Sequence, residues 1–352
     1  FDLNDFDETH PGPFEWDVKR FAASIEVAGR GRSFPAGVRR RALRDGMRSY
    51  RESMRRLAEQ RTLEVWYARH DVEELLARHR GKTSDAVARD VDRRLARTRA
   101  KDSLRALSKL TEVRDGTRRF ISDPPLLVPL SELMRPGELE ETERTLRTFL
   151  RSYRASISAS QRTLLDRFRF TDMAHKVVGV GSVGSRAWVV LLLGRDDRDP
   201  LVLQLKEAQA SVLEPHLGKS AYRQHGRRVV EGQRLMQAAS DIFLGWCGGT
   251  GRDGVHREFY VRQLWDAKGS ADLDRIEPDR FGIYAELCGA ALARAHARSG
   301  DPVAIGAYLG RGDAFERAME AFAATYADRN EADFAALEAA ADAGRIPATD
   351  TA

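Results

Sequence analysis

Residues 179–194 read GVGSVGSRAWVVLLLG, and residues 201–208 read LVLQLKEA. Gly179, Gly181 and Gly184 stand ahead of an apolar run, and glycine is the residue that lets backbone N–H groups approach a ligand closely. The spacing is G-x-G-x-x-G. It is not that of a P-loop, because no Lys-Ser or Lys-Thr pair comes directly after Gly184. Nor is Ser182 in a G-x-S-x-G elbow, since its neighbours are Gly181 and Val183. The residues after the last glycine decide between the two remaining uses of this spacing. A dinucleotide-binding turn opens a helix, whereas RAWVVLLLG is rich in Trp, Val and Leu and reads as a strand. Strand, glycine turn, strand is the order found where such a loop covers the phosphates of a nucleotide in protein kinases.

That order expects a lysine on the next strand, and Lys206 in LVLQLKEA is placed for it. Alternation puts Leu201, Leu203 and Leu205 on one face and Val202, Gln204 and Lys206 on the other. A lysine facing a ligand needs a carboxylate to hold it. Glu231, in RRVVEGQRLM, is the first candidate, ahead of Glu214 and Glu207. Gly179, Gly181, Ser182, Gly184, Lys206 and Glu231 then form the candidate cofactor site. A half-exposed hairpin with a surface lysine accounts for the same pattern without any ligand.

Outward from this stretch, His175–Gly179, Arg186–Leu193 and Pro200–Lys206 read as strands, with GRDDRD as a hairpin loop between the last two. FLGW and REFYVRQL read as further strands. Glu214–Ala239 is mostly helical, Pro278–Arg298 a long helix, and a final helix pair is broken near Asn330. Upstream, Pro35 to about Arg80 is helical with a break near His70, where Asp71 and Glu74 have the spacing of a capping box. Further helices are expected over Ser84–Leu107 and Glu138–Arg169. Between them FISDPPLLVPL, with three prolines, reads as an extended connector or short edge strand. The chain thus divides into an acidic segment over 1–34, a mainly helical region over 35–170, a β-rich region over 171–277 and a helical region over 278–352, an α+β organisation.

The opening FDLNDFDE alternates apolar and acidic residues like the end of a strand running into an acidic loop. Asp2, Asp5, Asp7 and Glu8 crowd together, and such carboxylates either hold a hard divalent cation or stand apart in solvent. Magnesium takes only one or two protein carboxylates beside water and phosphate oxygens, so Asp5 and Asp7 are the metal candidates. PFEWDVKRFAASIEVAGR then reads as a helix with Asp17 near its start and Gly29 placed to stop it.

With 352 residues, 42% hydrophobic and 32% charged, the chain has material for two packed lobes. No apolar run approaches the roughly 20 residues that span a bilayer, and no basic-then-apolar leader opens the chain, so the expectation is a cytoplasmic protein without a membrane route. Cys247 and Cys288 are the only cysteines, which excludes a disulfide framework and a multi-cysteine zinc site. Eleven arginines lie between Arg30 and Arg61 against Asp45, Glu52 and Glu59. The block has little aromatic interleaving, and a solvated helical face with acids on other elements, or a cradle for an anionic substrate, is expected ahead of a nucleic-acid site. His296, in ARAHARSGD, reads as a hydrogen-bonded helical histidine ahead of one that orients a neighbouring loop.

Longer stretches carry a resemblance. FDLNDFDETHPGPFEWDVKRFAAS, VVGVGSVGSRAWVVLLLG, LVLQLKEAQASVLE, RVVEGQRLMQAASDIFLGW, YVRQLWDAKGS and CGAALARAHARSGD together resemble the bacterial family known as domain of unknown function 2252, over nearly the whole chain. That family is similar, more distantly, to protein-kinase-like and aminoglycoside-phosphotransferase-like proteins. The resemblance implies a two-lobed kinase-like fold, circularly permuted so that the metal-binding half precedes the glycine-lysine half, with a large helical insert. It implies that Asp5 stands where such enzymes bind metal, that Asp17 gives structural support, and that Glu231 partners Lys206. The general base is expected N-terminal to Phe1, in a segment this sequence does not contain, so the sequence is read either as a fragment or as a protein that has lost that loop. The function implied is an ATP- and magnesium-dependent phosphotransferase acting on a small molecule. A nucleotide-binding or regulatory protein without turnover, and a nucleic-acid binder, are the alternatives.

Overall fold

The computed structural model describes residues 2–68, 109–133, 139–177, 186–251, 253–264 and 273–346. The glycine turn with Gly179, Gly181, Ser182 and Gly184, the break near His70 and the helix expected over Ser84–Leu107 lie outside the described residues. The chain divides into two compact units. One comprises Phe1–Leu3, Gly12–Lys82 and Ser270–Ala352, the other Asn4–Pro11 and Thr83–Gly269.

The first unit opens with helices α1 (Phe14–Gly31), α2 (Ala36–Ala58) and α3 (Thr62–Tyr67). Pro13 and Pro35 precede the first two, and Glu15 and Asp17 complement the dipole in the first turn of α1. Gly29 does not stop α1, which runs two residues further. Leu43, Met47, Tyr50, Met54 and Leu57 recur every three or four positions along α2, so one stripe of that arginine-rich helix is buried. α2 and α3 are separated by a short break at Glu59–Arg61.

The second unit begins with the hairpin β1 (Thr111–Arg114) and β2 (Thr117–Phe120), closed by Asp115 and Gly116, both at positive φ. An Asp-Gly pair suits the two-residue turn that matches strand twist. Then come β3 (Leu127–Pro129), α4 (Leu130–Leu133), α5 (Leu139–Ser156), α6 (Ala159–Leu165), β4 (Arg169–Lys176), β5 (Ala187–Leu193), β6 (Pro200–Ala208), α7 (Glu214–Leu217), α8 (His225–Met236), β7 (Gly245–Thr250) and β8 (His256–Gln263). The last six strands form one antiparallel sheet in the order β3-β4-β5-β6-β8-β7. The proline-rich connector supplies its edge strand β3, as its composition predicts. The other edge, β7, is closed by side chains: Ser156 Oγ accepts from Trp246 N at 2.9 Å, Ser152 Oγ from Gly248 N at 3.2 Å, and Gln224 Nε2 donates to Cys247 O at 3.0 Å.

The alternation expected of β6 sorts the two faces. Leu201 and Leu203 enter a core with Met173, Val190, Leu192, Cys247, Phe259, Val261 and Tyr153 of α5, and Leu205 packs against it. Val202 packs on the opposite side with Phe120, Ala174, Val189 and Leu191. Gln204 and Lys206 continue that second face toward the β8 residues Arg262 and Tyr260, their register partners.

The first unit closes with α9 (Pro278–Ser299), α10 (Pro302–Leu309) and α11 (Ala314–Asp342). Asp301 caps α10 by accepting from Val303 N and Ala304 N. Contrary to the expected break, α11 passes through Asn330 without interruption. α9 and α2 approach to backbone contact: a Cβ at Gly289 would lie 2.3 Å from Gly46 O. The arginine block is matched by acids of the same unit. Arg30 and Arg39 reach Glu26, Arg40 and Arg44 reach Glu320, and buried Arg51 reaches Glu316 at 2.8 Å. Among the described residues no helix is long and apolar enough to cross a membrane.

Candidate functional site

The acidic opening does not continue as a strand. Residues 4–11 take an irregular path with a turn at Asp7–Glu8, because their carbonyls meet side chains instead of a neighbouring strand. Arg228 of α8 is the anchor. Its Nη1 donates to Thr9 O at 2.6 Å, and its Nη2 to Asp7 O at 2.8 Å and Gln209 O at 2.9 Å. The residue is 3% exposed. Burial pulls its pKa down, opposed by Glu8, Glu214 and Asp7. One helical turn on, Gly232 leaves room for Thr9, whose Oγ1 would lie 2.5 Å from a Cβ at that position. Ser211 Oγ donates to Glu8 O, Glu8 accepts from Val212 N, and His10 Nε2 lies 3.0 Å from Gly218 O. Phe6 is buried within the same segment.

This strap brings Asp7 to Lys206. Lys206 Nζ donates to Asp7 Oδ2 at 2.8 Å, with the lysine side chain 16% and the aspartate side chain 38% exposed. Across the sheet register Lys206 faces Tyr260 and lies 5.7 Å from its ring centroid. Burial first, then the charge of Asp7, drives the Tyr260 phenol far above its usual range, so it stays protonated; Arg262 opposes the shift, and Asp5 adds to it. Asp5 is exposed. The expected partner of Lys206 is therefore corrected. Glu231 turns to Arg234 at 3.6 Å and Arg227 at 3.9 Å on its own helix. Glu207 faces Arg186 N and Arg257. A carboxylate at i+3 or i+4 from two arginines is claimed locally, whereas Asp7 arrives on the strap with its backbone fixed by Arg228.

Asp17 belongs to the other unit. There its Oδ2 lies 3.1 Å from His296 Nε2, and His296 Nδ1 lies 2.9 Å from the Tyr50 hydroxyl. Burial, then Asp17 and Glu15, keeps the Tyr50 phenol protonated. Asp17 thus accepts from Nε2–H, and Nδ1 accepts from Tyr50, which fixes His296 as a hydrogen-bonded histidine in the core. Asp2, from the same acidic opening as Asp5 and Asp7, pairs with buried Arg294 in this unit.

Sequence reasoning missed Arg228, Tyr260 and Arg262. Their roles come from partners far along the chain, and the local pattern around Arg228 signals only a helix. Among the described residues no group of three or more His, Cys, Asp or Glu has the arrangement to hold a metal ion. The Lys206–Asp7 pair, with exposed Asp5 beside it, offers instead a cation and one or two carboxylates on one sheet face. No curated protein and no solved structure matches the chain. A family model does match, over residues 1–340, and by it the chain belongs to the family described as "Uncharacterized protein conserved in bacteria (DUF2252)".

Proposed function

We propose that the second unit binds a nucleoside triphosphate with magnesium and transfers a phosphoryl group to a small molecule. The observation that carries this reading is the Lys206–Asp7 contact at 2.8 Å on one face of the sheet. Ala187, the first residue of β5, is the register partner of Lys206, and the glycine-rich stretch precedes it by a few positions in the sequence. In this reading the glycine turn covers the phosphates with backbone N–H groups, and Lys206 neutralises them. Asp7 and Asp5 supply the one or two protein carboxylates that magnesium takes beside phosphate oxygens and water. ATP is the donor expected from the family's resemblance to kinase-like phosphotransferases.

The test is calorimetric titration of ATP with and without magnesium. Binding that requires the metal, weakens about tenfold or more in Lys206→Ala and loses its metal requirement in Asp5→Asn/Asp7→Asn is the expected result. Equal ATP affinity in all three proteins would remove the role of this face. A second reading, nucleotide binding without turnover, is favoured by Asp7 being engaged by Lys206 directly. Magnesium-dependent ATP binding with no phosphate release across a panel of acceptors would select it.

A further inference from the structure

Among the described residues, Arg262, a cation on the same sheet face as Lys206, has no counter-ion. Arg262 is the register partner of Gln204, two residues from Lys206 along β6. Its Nε donates to Gln204 Oε1 at 3.1 Å, and its guanidinium carbon lies 5.9 Å from the Tyr260 ring centroid. Lys206 lies 5.7 Å from the same ring. The two cations therefore flank one aromatic side chain that burial keeps neutral. Asp7 answers the charge of Lys206, whereas no described carboxylate pairs with Arg262, which is half-buried. Gln204 is 1% exposed and offers Arg262 a carbonyl oxygen, which orients the fork without neutralising it.

We propose that Arg262 is an anion-binding residue of this site, taking a phosphate group of the ligand through its free Nη edge. The inference rests on the nucleotide reading above and deepens it. A half-buried charge without a partner is unfavourable until an anion arrives, and a planar fork matches two oxygens of one phosphate. With Nε tied to Gln204 and the guanidinium held near the Tyr260 ring, little side-chain freedom remains to be lost on binding. The separation also fits. Two residues of strand are about 7 Å, a distance that a chain of linked phosphates spans. Lys206 then serves one phosphate and Arg262 the next along the sheet. The ligand class is a polyphosphate, free or as the chain of a nucleotide, in place of a monoanion.

The experiment titrates inorganic tripolyphosphate and ATP, each with magnesium, into the full chain and its Arg262→Met, Arg262→Lys and Lys206→Ala variants. Methionine keeps an unbranched side chain and removes the guanidinium, with its charge and its bond to Gln204, whereas lysine restores the charge alone. Arg262→Met is expected to weaken both probes by about tenfold or more, with Arg262→Lys recovering part of the loss. The unliganded melting temperature of each variant shows that it is folded; if Arg262→Met is not, Arg262→Lys carries the test, and wild-type affinity in it overturns the proposal. If Lys206→Ala weakens both probes while Arg262→Met binds within about twofold of wild type, the role of Arg262 falls and the nucleotide reading stands. If Arg262→Met weakens ATP alone, the residue touches the nucleoside and the anion role also falls. If the wild-type protein binds neither probe, both readings fall together.

Discussion

Arg228 does at residue scale what no regular element does for the acidic opening. One buried guanidinium gathers three carbonyls from two separate segments, so Asp7 has a fixed backbone before its carboxylate meets Lys206. Arg228→Met should therefore destabilise the second unit by roughly 2–4 kcal/mol, since it leaves three buried acceptors without a donor. Urea denaturation gives the magnitude. Amide exchange supplies the location: Thr9 N, bonded to Phe6 O, and Val212 N, bonded to Glu8, should lose protection ahead of the sheet. A change spread evenly over the unit would show that Arg228 acts through packing alone. Lys206 was legible in the sequence because alternation along LVLQLKEA fixes which face it takes. Its partner was not. The helix that follows offered Glu231, but two arginines within one turn hold that carboxylate, and nothing local marks Asp7, 199 positions away, as the replacement.

Among the elements, those whose period is unbroken were readable and those decided by distant partners were not. β5 and β6 come from apolar density and alternation, and the edge strand from its prolines. The acidic opening alternates like a strand and is none, because side chains from α8 and from Ser211 take its carbonyls. Asn330 suggested a break in the last helix, yet its propensity penalty of about 0.7 kcal/mol or less is outweighed by the surrounding alanines and glutamates. β1 and β2 were not anticipated, although Asp115-Gly116 is a strong hairpin signal. The α2–α9 contact makes an element-scale prediction. Gly289→Ala forces a methyl group against the Gly46 carbonyl and should lower the stability of the first unit by about 1–3 kcal/mol. Gly37→Ala, on the same helix α2 but with open space around it, should cause no loss. Equal thermal shifts for the two would mean that the helices slide apart at no cost.

At the scale of the molecule, each unit carries one cysteine. Cys247 is fully buried in the sheet core, and burial drives its thiol well up; Cys288 on α9 is pushed up to about 11, also by burial. Thiolate is the reactive form, so at a mildly alkaline pH of about 8 neither should react with a disulfide reagent while its unit is folded. Labelling in graded urea, read site by site by mass spectrometry, should then give two opening curves, one per unit. Arg228→Met should move the Cys247 curve and Gly289→Ala the Cys288 curve; the reverse assignment, or rapid labelling without denaturant, would contradict the packing described. The arrangement of the two units along the chain has a further consequence. Tyr50 and His296, hydrogen-bonded in one core, are 246 positions apart, with the whole sheet between them in sequence. On a ribosome the sheet unit can finish folding while α2 still waits for α9. For that interval the Met47 and Met54 stripe of α2 has α1 beside it and lacks α9, so apolar surface that the finished fold buries is expected to stay open during synthesis.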